Sequence, residues 1–158
     1  MTPLVVVDSS VAIKWFATEV LTPKALQLLA AWKGRQIECV APSLVFTEMA
    51  NILWKKRRQG VMTEVEAETH LQAFMAMPFS VTPTLSLLDD ALRIAMLHDR
   101  TVYDSTYLSL CKRMQCDFVT ADDRLVNAVA AHIPNVIKLS DWTPPPPTTP
   151  PPATTTTS

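Results

Sequence analysis

The run LVVVDSSVAIKWF, residues 4–16, decides how the rest of the chain is read. Its four aliphatic residues after Pro3 have the pattern of a short strand buried on both faces of a parallel sheet. Asp8 follows with no spacer, and residues 9–17 then read as a short helix. Outward from this unit the alternation continues. Thr22 and Pro23 supply an N-cap and a first-turn proline for a helix ending near Trp32, with Gly34 as its stop. Residues 37–40 read as a strand, and Pro42 opens a long helix with the apolar stripe Leu44, Val45, Met49, Ile52 and Leu53, closed by Gly60. Thr63 and Glu66 form a capping-box pair for a helix to about Met75. Strand 79–81, helix 84–98, helix 103–114, strand 117–120, helix 122–131 and strand 135–139 complete the series. Five short strands separated by helices predict a three-layer α/β/α domain with a mainly parallel sheet. Ligands in such sheets bind beyond the carboxyl ends of the strands, which directs attention to Asp8 and Asp122.

Composition narrows the chemistry. The chain has 158 residues, a formal net charge of −1, 13 prolines and only 2 glycines. Two glycines cannot build a Walker-type loop or a dinucleotide fingerprint, so any phosphate chemistry needs another device. Three scattered histidines and three cysteines without a CxxC spacing argue against zinc, and the sparse cysteines suit a reducing compartment. The longest uncharged stretch, residues 69–88, is interrupted by polar residues and two prolines, so no membrane span is expected. The amino terminus lacks a cationic region before its apolar run, which points to a cytoplasmic protein. Residues 143–158 contain only Pro, Thr, Ala and Ser. The expectation is a folded unit over 1–142 and a disordered Pro/Thr-rich tail over 143–158.

Four carboxylates stand out. Asp8 and Asp122 follow strands, Asp104 opens a helix, and Glu48 lies on the core-facing stripe between Leu44 and Ile52. Capping would explain any single Asp, but Glu48 has no Lys or Arg at i±3 or i±4 to neutralise it. If the four converge, each pair ~4 Å apart repels by roughly 4 kcal/mol at an effective dielectric near 20. A hard divalent ion, Mg²⁺ or Mn²⁺, balances such a set with oxygen ligands, and no organic cofactor is needed. The hydroxyls of Ser9, Ser10, Ser105 and Thr120, with Asn51 and Asp123, are candidates for orienting ligands or waters. Lys14 and the run Lys55, Lys56, Arg57 and Arg58 are candidates for phosphate contact, set against the ordinary reading of cations at a helix C-terminus. Trp15, Phe16, Trp32 and Trp54 alternate with these cations and read as core or dimer contacts before base-stacking platforms.

Four segments together resemble the PIN domain ribonucleases, and within them the VapC-type toxins: VVVDSSVAIKWF (5–16), APSLVFTEMANILWK (41–55), TVYDSTYLSL (101–110) and FVTADDRL (118–125). The resemblance places the family's acidic set on Asp8, Glu48, Asp104 and Asp122. It implies a five-stranded parallel sheet with the first and fourth strands adjacent, Mg²⁺- or Mn²⁺-dependent hydrolysis of RNA, a homodimer, and a cognate antitoxin. Asp123 and the Pro/Thr tail depart from the family pattern. The alternative is a catalytically silent PIN module that regulates by binding RNA or protein. A phosphotransferase of the haloacid dehalogenase type is disfavoured, because Asp8 lacks a second Asp two residues on.

Overall fold

A computed structural model describes residues 1–147. Its five strands are β1 (Leu4–Val7), β2 (Glu38–Pro42), β3 (Ser80–Thr82), β4 (Asp117–Thr120) and β5 (Val136–Lys138). All pair in parallel, in the order β3-β2-β1-β4-β5, so β1 and β4 are neighbours at the centre. Val5, Val6 and Val7 are buried, as a strand covered on both faces requires.

Seven α-helices connect the strands: α1 (Ser9–Ala12), α2 (Thr22–Lys33), α3 (Leu44–Arg58), α4 (Glu64–Met75), α5 (Leu88–His98), α6 (Val102–Met114) and α7 (Asp123–Val129). The chain moves one way from β1 to β3 and then the other way through β4 to β5. Right-handed crossovers therefore put α1–α4 on one face and α5–α7 on the other. The reversal falls between β1 and β4, which opens a crevice at their carboxyl ends. On the α1–α4 face Trp15, Trp32, Phe46, Phe74 and Phe79 form an aromatic cluster with neighbouring ring centroids 4.6–6.4 Å apart. The Trp15 indole N–H donates to the Ala25 carbonyl at 2.9 Å, so this cluster locks the chain after α1 against α2.

The expected elements differ from the structure mainly at their ends. The first helix is one α-turn followed by a 3-10 turn, Ile13–Trp15. Thr22 does not cap α2. Leu21 takes the cap position with φ 67°, while the Thr22 hydroxyl accepts from the Glu19 amide at 2.9 Å. Gly34 keeps φ −78°, and Arg35 takes the left-handed turn instead. Pro42 closes β2 rather than opening α3, because its missing N–H costs nothing at a strand end. The Thr63–Glu66 capping box and the left-handed Gly60 are present. Trp142 is buried, and residues 143–147 have no regular structure. The remainder of the expected tail, 148–158, lies outside the described residues. Among the described residues no helix is long and apolar enough to cross a membrane.

Candidate active site

Asp8 leaves β1 with extended backbone, and its carboxylate accepts from the Ser10 and Val11 amides as the cap of α1. Capping is only part of its role. The Ser10 hydroxyl donates to Oδ1 at 2.5 Å, and the Thr120 hydroxyl, at the end of β4, donates to Oδ2 at 2.6 Å. The Ser10 oxygen in turn accepts from the Ala121 amide at 3.0 Å, so the ends of the two central strands are tied together through one carboxylate. Burial pushes the Asp8 carboxyl from its ordinary 3.8 up to about 6; the hydrogen bonds oppose this, and the charge of Asp104 adds to it.

Glu48 projects from the second turn of α3. Its Oε1 accepts the Tyr107 hydroxyl at 2.5 Å, which supplies the partner that α3 lacks. Tyr107 is 2% exposed, and its ring stacks on Phe118 of β4 at 5.6 Å and 14°. Burial first, then the nearby carboxylates, hold the Tyr107 phenol well above its ordinary range, so it remains a donor. Burial also raises the Glu48 carboxyl, against the Tyr107 bond and with help from the charges of Asp8 and Asp104.

Asp104 is not a cap. Thr101 caps α6 and accepts from the Asp104 amide at 3.0 Å, so the Asp104 carboxylate is not spent on capping. Burial raises it, and so does the charge of Asp122, while Thr101 and the Arg100 cation pull the other way. Asp122 does cap α7, accepting from the Arg124 and Leu125 amides at 3.1 Å. Electrostatic coupling thus links Asp8 to Asp104, Glu48 to both, and Asp104 to Asp122. The four acids share the carboxyl edge of the sheet.

The remaining candidates separate clearly. Ser10 and Thr120 grip Asp8; Ser9 is buried in α1. Ser105 is fully buried, with no hydrogen-bond partner for its hydroxyl among the described residues. Asn51 is exposed, one turn beyond Glu48 on α3, and Asp123 is exposed in the first turn of α7. Lys14 is buried against Glu19 at 3.1 Å, and Lys56 pairs with the same carboxylate. Both cations therefore brace the chain between α1 and α2 against α3. Tyr107 and Arg100 went unnoticed in the sequence. Tyr107 stands three residues after Asp104, but nothing local shows which acid a tyrosine on α6 will meet.

The oxygen-only donor set fits a hard divalent cation. Among the described residues no three acids are close enough to enclose an ion by themselves. A hard divalent cation such as Mg²⁺ generally keeps several waters and is bound by one or two carboxylates together with substrate phosphate. A cavity of about 590 Å³ lies elsewhere, at the amino-terminal ends of the strands between Trp32, Ile37 and Met77. It contains none of the coupled acids, so the site is assigned by its chemistry and not by cavity size.

Comparison with known proteins bears on the fold and the family. The PIN domain family model matches residues 5–131. Ribonuclease VapC3 of Pyrobaculum aerophilum is 33% identical over 86 residues, 53% of this chain and 66% of the relative. The crystal structure of PAE2754 from the same organism superposes with a TM-score of 0.63 at 25% identity, covering 87% of this chain and 85% of that one. A toxin-antitoxin complex from Klebsiella pneumoniae shares the fold, with a TM-score of 0.58 at 14% identity over 85% and 97% of the two chains. With the strand order, the β1/β4 crevice and the family match in agreement, the chain belongs to the PIN domain family.

Proposed function

We propose that this protein is a divalent-metal-dependent endoribonuclease, the toxin of a toxin–antitoxin pair, with Asp8, Glu48, Asp104 and Asp122 as its working acids. The observation that carries the reading is the coupled acid set at the β1/β4 edge, centred on an Asp8 whose two oxygens are both held by hydroxyls. The name of the Pyrobaculum relative supports ribonuclease chemistry, and the Klebsiella complex supports an antitoxin partner. We further infer action in the cytoplasm and as a homodimer. Mg²⁺ or Mn²⁺ held by the acids would neutralise the phosphodiester and make a water acidic enough to attack in line.

The chain's own residues set the geometry for this. Ser10 and Thr120 fix the Asp8 carboxylate without neutralising it, so its charge is available to a cation. Tyr107 occupies Glu48 Oε1, which leaves Oε2 to orient the attacking water and take its proton as the new P–O bond forms and the bond to the leaving oxygen breaks. Asp104 has no capping duty, and Arg100 beside it offers a cation to the phosphate. An intact acid set is what a silent binding module would not need.

The test is cleavage of single-stranded and structured RNA by the purified chain in Mg²⁺, Mn²⁺ or EDTA, beside Asp8→Asn and Asp104→Asn. Cleavage is expected only with metal and only with both acids. Activity surviving EDTA or either substitution would refute the mechanism.

A further inference from the structure

The cationic run ending α3 is divided by the fold. Lys56 turns to Glu19, and Arg57 lies 3.8 Å from Glu64. Lys55 and Arg58 instead line a shallow pocket of about 450 Å³ with Trp54 and Gln59. Trp54 is 51% exposed, although Trp32 belongs to the core cluster and Trp15 and Phe16 pack against it. Its indole is not loose: the Arg58 guanidinium sits over the ring, 4.9 Å from the centroid. A cation–π contact of this kind restrains the ring, and about half of the residue stays accessible to solvent.

The pocket therefore presents a planar stacking surface, two cations and an amide able to read a base edge. Two cations beside one exposed indole complement a phosphodiester carrying an unpaired base, and the carboxylates that meet the other cations of the run, Glu19 and Glu64, are already held by Lys56 and Arg57. The pocket's position matters as well. Glu48, Asn51, Lys55 and Gln59 follow at steps of three or four residues, so one row on α3 runs from the acid to the pocket. Lys55 stands seven positions after Glu48, a rise of about 10 Å, or about three stacked nucleotides.

We propose that Trp54, Lys55, Arg58 and Gln59 form a subsite for an unpaired RNA base about three nucleotides from the scissile phosphate, with Trp54 stacking on the base and the two cations on its phosphates. This rests on the ribonuclease reading for its substrate but not for its measurement. A subsite of this kind favours single-stranded or looped RNA, because a base inside a duplex cannot leave its stack to reach the indole.

The experiment measures binding by the full chain carrying Asp8→Asn, using fluorescence anisotropy of a labelled 12-nucleotide single-stranded RNA and the matching duplex. Trp54→Ala is expected to weaken single-strand binding on the order of ten-fold or more, with Trp54→Phe restoring most of it and duplex binding indifferent to both. Lys55→Ala with Arg58→Ala should lower the salt dependence by about one phosphate contact each. An RNA with one abasic position should lose its sensitivity to Trp54→Ala when that position is the one stacked. All four residues are at the surface, so folding is not at stake, and circular dichroism checks it. Single-strand binding unchanged by Trp54→Ala overturns the subsite, as does absence of RNA binding by the parent or an effect confined to a protein partner. If the wild-type chain cleaves no RNA while Trp54-dependent binding holds, the nuclease reading fails and the subsite stands.

Discussion

At the scale of single residues, Asp8 gives the clearest thermodynamic signature. Its folded-state pKa of about 6 exceeds its ordinary 3.8, so between these values the native state holds more protons than the unfolded chain. The slope of stability against pH from this group is then negative. Its contribution is fully present below about pH 4 and is lost as pH rises through 6, a difference of about 3 kcal/mol. Urea denaturation in EDTA at pH 4 to 7 should show Asp8→Asn gaining stability relative to wild type as pH increases. A relative loss over that range would contradict the buried, unpaired carboxylate. Tyr107→Phe tests the other hydroxyl device. The ring can still stack on Phe118, but Glu48 loses its donor. Mn²⁺ affinity, read by titration in the absence of RNA, should fall about ten-fold or more while the metal-free fold is kept. Equal affinity would mean that Tyr107 does not position Glu48.

At the scale of elements, the brace around Glu19 joins parts of the chain that no helix or strand connects. Its carboxylate is 29% exposed and is held below its ordinary pKa by Lys56 and Lys14, against burial. A lowered carboxylate contributes stability at neutral pH and loses it as pH falls through the folded pKa. Glu19→Ala should cost about 2 kcal/mol at pH 7, more than Lys56→Ala, because it leaves two partly buried ammonium groups unpaired. The gap should narrow in acid, and chemical denaturation at pH 7 and pH 3 measures it. The capping box of α4 offers a control far from the acids: Thr63→Ala should cost about 1 kcal/mol and leave RNA cleavage untouched.

At the scale of the whole molecule, a cation that binds only the folded state must stabilise it by mass action. Mg²⁺ or Mn²⁺ should raise the melting temperature at pH 7.5 and do so less at pH 5, where protons compete for Asp8. A shift independent of pH, or none in either buffer, would place the acids outside a metal site. Much of this architecture was legible beforehand because its signals are local. A β-branched run, a 3.6-residue stripe, a capping box and an Asp directly after a strand are each written within a dozen residues, and they yielded five strands and four acids. Element ends were harder to read. Whether Gly34 or Arg35 takes the left-handed turn, or Thr22 caps its own helix, depends on how the chain must turn to meet the next strand.

By itself, then, the sequence determined the alternation of strand and helix, the absence of any glycine-based phosphate loop, and the acids available for chemistry. Only the tertiary structure decided how they are used. Thr120 reaches Asp8 across 112 positions and Tyr107 reaches Glu48 across 59, because strand order places β4 beside β1 and α6 against the same edge. The four cations of α3 look alike along the chain, yet one is drawn to Glu19, another to Glu64, and Lys55 and Arg58 stay with Trp54. The physical reason is the same throughout. Helical period and capping act over one or two turns of chain, whereas burial and charge pairing depend on which distant elements the crossovers bring together.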